Sequence, residues 1–350
     1  MDPRDRGMRV LWVELSKDVP PLARAEAIAA AEALGGGRGP SGMYDDSGLL
    51  VPVELPDGTD PAYLTARLAL ARRCLERRGT TRAAAEIFAR AGRDARSAAV
   101  RWIGRPTSGS DDRDVRELGR AYVAAGGRID LEHPDRRFWL VGAPPDGPAF
   151  FEEVGATDPS ALARRRMPRL PFQRPVSLPP RLARAAANLA GIRPGDRVID
   201  PFVGTGALLA EAGLLGAEVY GIDRDPEMVR GALRNLGHLG VTPRSMVVGD
   251  AGDPTVDVEA GVFDAVLTDP PYGRASSTGG EGGAAVVARV LPRWAERVRP
   301  GGRVVVILGG PSDPLGPPWE CCTAIPVRVH RSLTREFRVY RRPGATPSSG

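Results

Sequence analysis

Short apolar runs that each end on an aspartate recur in the second half of the chain. Buried strands are predicted from the length and β-branched content of four such runs, residues 197–200, 218–222, 245–249 and 263–267. The aspartates that close them are Asp200, Asp223, Asp250 and Asp269. A turn and a helix follow the first run, which is typical of a parallel α/β sheet. We therefore expect the four carboxylates at the carboxyl edge of the sheet, where open α/β sheets bind their ligands.

The first half of the chain alternates between strand-like and helix-like segments. Strands are predicted at residues 8–15, 48–55, 97–104, 128–131 and 136–141, and helices at 21–34, 62–77 and 111–125. This alternation indicates small α+β units. Near the end of the chain, residues 303–308 predict another buried strand, and residues 328–330 and 336–340 predict a closing antiparallel hairpin.

The segment Thr-Asp-Pro-Pro-Tyr-Gly-Arg, residues 268–274, follows the last of the four runs. Each proline lacks an N–H, so the strand must end there and leave a carboxylate, a carbonyl and an aromatic ring at its carboxyl end. The carboxylate and the Pro270 carbonyl can accept hydrogen bonds from an exocyclic amino group while the tyrosine stacks on the base. The predicted catalytic residues are Asp269, Pro270, Pro271 and Tyr272. A tight Pro-Tyr turn without chemistry is the alternative for this motif taken alone.

The loop after the first run, residues 200–206, contains two glycines that permit a sharp turn and close approach of the backbone to a ligand. The helix that follows directs its N-terminal amides at the same place. A nicotinamide-binding unit would share such a loop, but it does not need Asp269, whereas a methyl donor beside an amino acceptor does. The predicted ligand is S-adenosylmethionine, held by Asp200, Pro201, Phe202, Gly204, Thr205, Gly206, Asp223, Arg224, Asp250, Ala251 and Asp269. Among these, Asp223 is placed to hold a ribose hydroxyl, and Asp250 with Ala251 an adenine edge.

Three segments together resemble the archaeal tRNA guanine-N2-methyltransferases that modify guanosine 10: residues 200–206, residues 269–274 and the late segment Val-His-Arg-Ser-Leu-Thr-Arg, residues 329–335. Residues 174–190 are similar to the helix that precedes the catalytic sheet in that family. One departure is Val203, where the family often has cysteine. The resemblance implies a Rossmann-like methyltransferase sheet preceded by an α+β ferredoxin-like/THUMP RNA-binding region. It also implies mono- or dimethylation of the exocyclic N2 of guanosine in tRNA.

The same resemblance implies a ferredoxin-like domain (1–58), a THUMP RNA-binding domain (59–156) and a methyltransferase domain (177–342). The residue pattern adds an Arg/Pro-rich linker (157–176) and a disordered tail (343–350). In the linker, arginines alternate with prolines and Phe172, which predicts a semi-rigid charged connection. The residues predicted to contact RNA are Arg165, Arg166, Arg169 and Arg174, with Phe172 or an arginine on a base. The alternative is a solvated linker whose arginines pair with nearby acids.

Composition changes this picture little. A chain of 350 residues allows two or three domains, and the net charge of +5 permits nucleic-acid binding. Lys17 is the only lysine, although a GC-rich genome would produce the same arginine bias. Neither the three cysteines nor the three histidines show ligand spacing, so no metal site is predicted. Without a long apolar run or an apolar leader, a cytoplasmic location with no membrane partner is expected. A monomer is also expected.

The Asp-Pro-Pro-Tyr motif is shared with DNA adenine, rRNA guanine and protein glutamine methyltransferases, so it identifies the chemistry better than the substrate. Two other classes therefore stay open: a DNA or rRNA amino-methyltransferase, and a non-catalytic RNA-binding subunit that retains the fold. The intact loop at 200–206 and the unbroken motif argue against the second. A small activating protein subunit, as in related eukaryotic enzymes, also stays open. Residues 275–283 predict either a flap that orders over a flipped base or an inert loop.

Overall fold

The computed structural model describes residues 7–40, 48–91, 96–104, 111–142, 148–166, 169–175, 177–258, 260–271, 283–310, 312–330 and 333–344. The chain divides into two compact units. The amino-terminal unit comprises residues 1–66 and 71–157, and the carboxy-terminal unit comprises residues 67–70 and 158–350.

Among the described residues, one eight-stranded sheet forms the amino-terminal unit. Its strands are β1 (Met8–Leu15), β2 (Gly37–Arg38), β3 (Leu50–Pro56), β4 (Ala71–Thr80), β5 (Ser97–Trp102), β6 (Arg128–Ile129), β7 (Arg136–Val141) and β8 (Ala149–Ala156). The helices are α1 (Pro20–Ala33), α2 (Pro61–Arg67), α3 (Ala84–Ala91) and α4 (Asp111–Ala124). The strand order is β2-β3-β1-β4-β8-β7-β5-β6, and only the pairs of β5 with β6 and β7 are parallel.

Aromatic side chains hold helices α3 and α4 on this sheet. Phe88 of α3 meets Tyr122 of α4 edge to face, with ring centroids 5.2 Å apart, and also contacts Phe138 and Phe150 from the sheet. All four rings are buried, and edge-to-face pairs stabilise such a core beyond the area they bury. Strands on both sides of residue 58 belong to the same sheet. The division into a ferredoxin-like and a THUMP domain at that residue stays a prediction.

The predicted helix over residues 62–77 is wrong in its second half. A helix ends at Arg67, and residues 71–80 form β4, which pairs with β1 on one side and β8 on the other. The alanine, leucine and arginine residues of this segment have good helix propensity, but propensity is a weak prior that tertiary pairing overrides. Leu75, for example, lies opposite Trp12 of β1 and is fully buried. In the amino-terminal unit, β2, α3 and β8 have no counterpart among the sequence-based predictions.

A second sheet, seven-stranded among the described residues, forms the carboxy-terminal unit. Its strands are β9 (Arg197–Asp200), β10 (Glu218–Asp223), β11 (Ser245–Val248), β12 (Phe263–Thr268), β13 (Val298–Leu308), β14 (Glu320–His330) and β15 (Leu333–Arg341). The helices are α5 (Pro159–Arg164), α6 (Pro180–Leu189), α7 (Ala207–Leu214), α8 (Pro226–His238) and α9 (Gly283–Ala295). The order is β11-β10-β9-β12-β13-β15-β14. Strands β9 to β13 are parallel, and β14 and β15 form the predicted antiparallel hairpin.

This topology confirms the Rossmann-like sheet and determines where a ligand can bind. The first strand, β9, lies between β10 and β12, so the chain order reverses there. At such a switch point the connections leave in opposite directions and open a crevice beyond the carboxyl ends of the strands. Phe263 and Trp294, both fully buried, pack α9 against this part of the sheet. Asp200 at the end of β9 and Asp269 just after β12 therefore belong to the same crevice.

Candidate active site

Asp200 is buried at the end of β9. Its Oδ1 accepts hydrogen bonds from the hydroxyl of Thr268, at 2.6 Å, and from the amide of Phe202, at 2.9 Å. The first bond joins the ends of β9 and β12, and the second sets the turn that begins the glycine loop. Because only 1% of Asp200 is exposed, the geometry gives it a supporting position beneath the loop.

Burial, together with the nearby carboxylates of Asp269 and Asp223, raises the pKa of Asp200 to about 7, against the opposing effect of the hydrogen bonds from Thr268 and Phe202. Burial acts this way because it disfavours the charged form of a carboxyl group. Two of the predicted aspartates thus lie close enough to Asp200 to interact with it electrostatically. Asp200 itself changes charge near neutral pH.

The contribution of Asp200 to the free energy of unfolding should therefore fall as the pH rises. Between the unfolded value of 3.8 and the folded value of about 7, the native state binds more protons than the unfolded chain, so this contribution is present below pH 4 and lost towards pH 7. The loss is at most about 1.4 kcal/mol per pH unit. We expect the unfolding midpoint of wild type minus that of Asp200→Asn to decrease from pH 4.5 to 7 and then level off. Thermal unfolding across this range measures it.

The matched control is Asp253→Asn. Asp253 lies in an exposed turn, where the amide of Thr255 lowers the pKa of its carboxyl group. A lowered pKa adds stability that is fully present above the unfolded value, so the corresponding difference stays flat above pH 4.5. If the difference in unfolding midpoint between wild type and Asp200→Asn also stayed flat, the raised pKa of the buried Asp200 carboxyl group would be contradicted.

The glycine loop is joined to β10 through Asp223. The amide of Gly204, a residue with φ of +53°, donates to Asp223 Oδ2 at 2.8 Å, and the amide of Asp225 donates to Oδ1 at 3.0 Å. Burial raises the pKa of Asp223, against these bonds. Gly206 has φ of +82° and immediately precedes α7. A Cβ there would lie 3.2 Å from Ala232 of α8, so backbone conformation and space both require glycine at this position.

Thr205 is supported from outside the loop. Its hydroxyl accepts a hydrogen bond from Ser177 at 2.8 Å, and its carbonyl accepts one from the Asn235 amide at 3.0 Å. Asn235 is buried on α8 and also bonds both backbone groups of Phe172, each at 2.9 Å. The loop is therefore held by residues upstream and downstream of it. Sequence reasoning missed Asn235, because an asparagine inside a helix carries no local signal of its partners.

Asp250 follows β11 and is bound by α9. Arg289 donates to both its carboxylate oxygens, at 3.1 and 3.2 Å, and the amide of Gly252 donates to Oδ1 at 2.8 Å. The Arg289 bonds are the main reason that the pKa of Asp250 is lowered. Ala251 is buried, and its carbonyl accepts bonds from Arg293 and Trp294. Asp250 is thus anionic and oriented at the edge of the sheet, as a ligand-binding carboxylate needs to be.

Asp269 lies beside an arginine that sequence reasoning did not single out. Arg335 of β15 places its Nη1 3.2 Å from Asp269 Oδ2, and the two side chains are only 8% and 17% exposed. Pro270 is buried and Pro271 half-buried. Tyr272 and residues 275–282 of the predicted flap lie outside the described residues. Arg335 is the last residue of the segment 329–335, so the structure provides a contact between that segment and the predicted catalytic motif.

The linker arginines occupy different environments. Arg165 donates to both carboxylate oxygens of Glu211, at 2.7 and 3.1 Å, and is largely buried. This corrects its prediction as an RNA contact, because its guanidinium is already bound inside the unit. Arg166 and Arg169 are exposed. Arg174 is 2.5 Å from Glu227 and lies over the Phe172 ring, as the alternative of paired arginines anticipated.

Phe172 is a packing residue, contrary to its suggested role on a base. It is 5% exposed, and its ring lies so close to Gly231 of α8 that a Cβ there would be 2.1 Å from it. The guanidinium groups of Arg174 and Arg234 lie over the same ring, at 4.6 and 5.5 Å from its centre. Residues 169–175 therefore belong to the carboxy-terminal unit and are anchored there by an aromatic ring.

In the part of the chain that the structure describes, there is no group of three or more His, Cys, Asp or Glu side chains that could hold a metal ion. Cys74 is buried, whereas Cys321 and Cys322 are exposed on β14. No helix among the same residues is long and apolar enough to cross a membrane.

Comparison with known proteins identifies one matching family model and several relatives. The family model for an RMKL-like methyltransferase domain matches residues 167–314. A tRNA (guanine(10)-N2)-dimethyltransferase of Methanothermobacter thermautotrophicus is 34% identical over 242 residues, which are 66% of this chain and 70% of that protein. The protein of the same name from Pyrococcus abyssi is 47% identical over 168 residues, 46% of this chain and 47% of its own length.

Among solved structures, TrmN from Thermus thermophilus matches 95% of this chain and 100% of its own, with a TM-score of 0.50 and 23% identity. At that identity the match supports the fold alone. The sequence matches identify a methyltransferase domain, and the solved structure has the same fold.

Proposed function

Because the chain belongs to the family of tRNA (guanine(10)-N2)-methyltransferases, we propose that it transfers methyl groups from S-adenosylmethionine to the exocyclic N2 of guanosine 10 in tRNA. The observation that carries this proposal is the position of Asp269 in the same crevice as the glycine loop, at the switch point of the sheet. Methyl transfer to an amino group needs a donor site and an acceptor carboxylate side by side.

The residues around the loop fit the methyl donor. Gly204 and Gly206 leave the crevice open to a ligand, and Asp223 lies directly beside the loop, where a ribose would need a hydrogen-bond acceptor. Asp250, oriented by Arg289, would take the adenine edge, and exposed Arg224 adjoins Asp223. Asp200 would act from below by fixing Pro201 and Phe202 at the start of the loop. When bound, the donor supplies a methyl group on a positively charged sulfur, which suits a crevice rich in carboxylates.

The acceptor side depends on the motif after β12. The N2 lone pair of guanine is delocalised into the ring, so the amino group is a poor nucleophile. Asp269 and the Pro270 carbonyl would accept its two N–H hydrogen bonds and thereby stabilise the positive charge that grows on nitrogen. Pro270 and Pro271 keep β12 from continuing beyond Thr268, and Tyr272 would stack on a base that has left the RNA helix. Asp269 would then receive the proton or pass it to water.

RNA binding is assigned in this proposal to a THUMP domain in residues 59–156 and to Arg166, Arg169 and Arg174. Arg166 and Arg169 are exposed and can reach phosphates. Replacing both with glutamine should weaken tRNA binding. It should also reduce the slope of the logarithm of the binding constant against the logarithm of the salt concentration by about 0.7–0.9 per lost phosphate contact. Filter binding between 50 and 200 mM salt measures both effects. The control is Arg244→Gln, because Arg244 is an exposed arginine that pairs with Glu218. An equal loss of tRNA affinity and of salt dependence in that variant would contradict the assignment.

The test of the function uses the purified chain, S-adenosylmethionine and two tRNA transcripts, one with guanosine 10 replaced by adenosine. Mass spectrometry of the digested nucleosides locates the product. N2-methylguanosine or N2,N2-dimethylguanosine in the first transcript alone is the expected result. Product in both transcripts would discard position 10. Product only on duplex DNA or rRNA fragments would replace tRNA as the substrate class.

We also propose a monomer that acts in the cytoplasm. Light scattering of the purified chain tests the oligomeric state, and a mass near 37.2 kDa is expected. An activating protein subunit would be recognised in the same transcript assay, as turnover that appears only when a cell extract is added to an inactive purified chain.

A further inference from the structure

We propose that Arg335 positions the reactive carboxylate, keeping Asp269 ionised and oriented towards the amino group of the acceptor. This inference deepens the proposed function and rests on the role of Asp269 given there. Its basis is the contact between Arg335 Nη1 and Asp269 Oδ2, at 3.2 Å, between two side chains that are both largely buried.

Strand pairing fixes the place of Arg335. It lies opposite Val327 of β14, in a regular stretch of the β14–β15 hairpin. On β15 it belongs to the row of inward residues that continues with Phe337 and Val339, which are 0% and 3% exposed. The exposed fraction of Arg335 itself is 6%. A guanidinium group held in this way brings its charge to one place with little loss of side-chain entropy on contact.

The local charges explain why a cation is needed beside Asp269. Asp200 lies at the end of the neighbouring strand β9, and Asp223 lies at the end of β10 beyond it. Asp200 interacts electrostatically with both Asp223 and Asp269. Like charges favour protonation of a carboxylate, and an opposite charge within about 4–6 Å favours its ionised form. Among the described residues, Arg335 of β15 provides that opposite charge at Asp269.

Ionisation matters because of what the carboxylate must do. A protonated carboxyl group donates through its O–H and loses part of its capacity to accept, whereas a carboxylate accepts about four hydrogen bonds. An ion pair at Oδ2 is therefore compatible with a hydrogen bond from the amino group to the same carboxylate. The planar guanidinium also restricts rotation of the carboxylate about its side-chain bonds. Arg335 thus acts through Asp269 and needs no contact with the substrate.

The experiment compares wild type with Arg335→Gln and Arg335→Lys, and uses Arg341→Gln as the matched control. Arg341 lies on the same strand but is exposed. Its backbone lies opposite that of Arg303 in the β13–β15 strand pair, away from the motif. kcat and KM for tRNA are measured from pH 6 to 9, and the dissociation constant for S-adenosylmethionine is measured by calorimetry. For Arg335→Gln we expect the acid limb of the kcat profile to move up by about one pH unit or more, with a loss of at most about tenfold per unit that shrinks towards pH 9. Arg335→Lys should retain more activity, and donor binding should stay within about twofold of wild type.

Three results would overturn the proposal. A loss in Arg335→Gln that is the same at every pH would mean that Arg335 does not control ionisation. A rise in KM at unchanged kcat would make Arg335 an RNA contact. Unchanged kinetics would remove any role in turnover.

A second measurement needs no substrate and so separates this inference from the proposed function. Carboxylate carbon signals are followed by NMR against pH in wild type and Arg335→Gln, with the Asp269 signal identified by its absence in Asp269→Asn. Asp269 should take up its proton at a pH higher by about one unit or more once Arg335 is gone. An unchanged titration would overturn the inference even if wild type methylates tRNA. A shifted titration in a protein that does not methylate tRNA would uphold the ion pair and reject the function.

Discussion

The Asp269→Asn variant should lose methyl transfer by about 10³-fold or more in the rate of the chemical step. Asparagine is nearly the same size, but its amide offers one acceptor oxygen and places an NH₂ donor where a carboxylate oxygen would face the amino group. It also lacks the negative charge that stabilises the positive charge growing on nitrogen. Single-turnover methylation of tRNA, with the variant in excess, measures the step directly. Donor and tRNA affinities should remain within a few-fold of wild type, because the loss arises in the transition state.

The matched control for this variant is Asp264→Asn. Asp264 lies near the start of the same strand, β12, where its carboxylate accepts a bond from the Arg197 amide at 2.8 Å and contacts Arg299. It is therefore at the opposite edge of the sheet from the crevice. A near-normal rate in Asp269→Asn, or equal losses in both variants, would reject Asp269 as the reactive carboxylate.

Replacing Glu211 with glutamine should have the largest effect on stability. Glu211 on α7 is 2% exposed and binds two guanidinium groups, Arg165 after α5 and Arg184 of α6, with bonds of 2.7 Å from the Nε of each. Without the carboxylate, two largely buried cations lie together with no compensating charge. Removing one partner of a buried ion pair costs about 3–5 kcal/mol. For a unit of this size that corresponds to a fall of roughly 10 °C in the unfolding midpoint.

Scanning calorimetry at pH 7 measures this effect, with Glu218→Gln as the control. Glu218 also pairs with two arginines, Arg244 at 2.5 Å and Arg197 at 3.7 Å, but it is partly exposed on the surface. Such pairs contribute about 1 kcal/mol or less, so the control should move the midpoint by only a few degrees. If the unfolding midpoint fell by the same few degrees in both variants, the buried ion pairs of Glu211 would contribute no more to stability than the surface pairs of Glu218.

The catalytic sheet was predictable because its signals are local. Each central strand is a short apolar run, and each ends on a polar residue followed by a turn, as for Asp200 and the glycine loop. The predicted strand at 218–222 differs from β10 by one residue. Strand β4 was not predictable in this way, because the choice between helix and strand there depends on β1 and β8, which are distant in the sequence.

The sequence by itself determined the positions of the central strands along the chain, the aspartates at their ends and the residue types that amino-group methylation requires, because these follow from hydrophobic period, turn chemistry and functional groups at short spacing. Only the tertiary structure decided which charges meet. It brought Arg335 to Asp269 across 66 positions of the chain, and Arg165 to Glu211 inside the unit. An arginine carries the same charge and shape whether it binds phosphate, stacks on a ring or neutralises a carboxylate. Its role depends on what the fold places within about 4 Å of it, and spacing along the chain does not contain that distance.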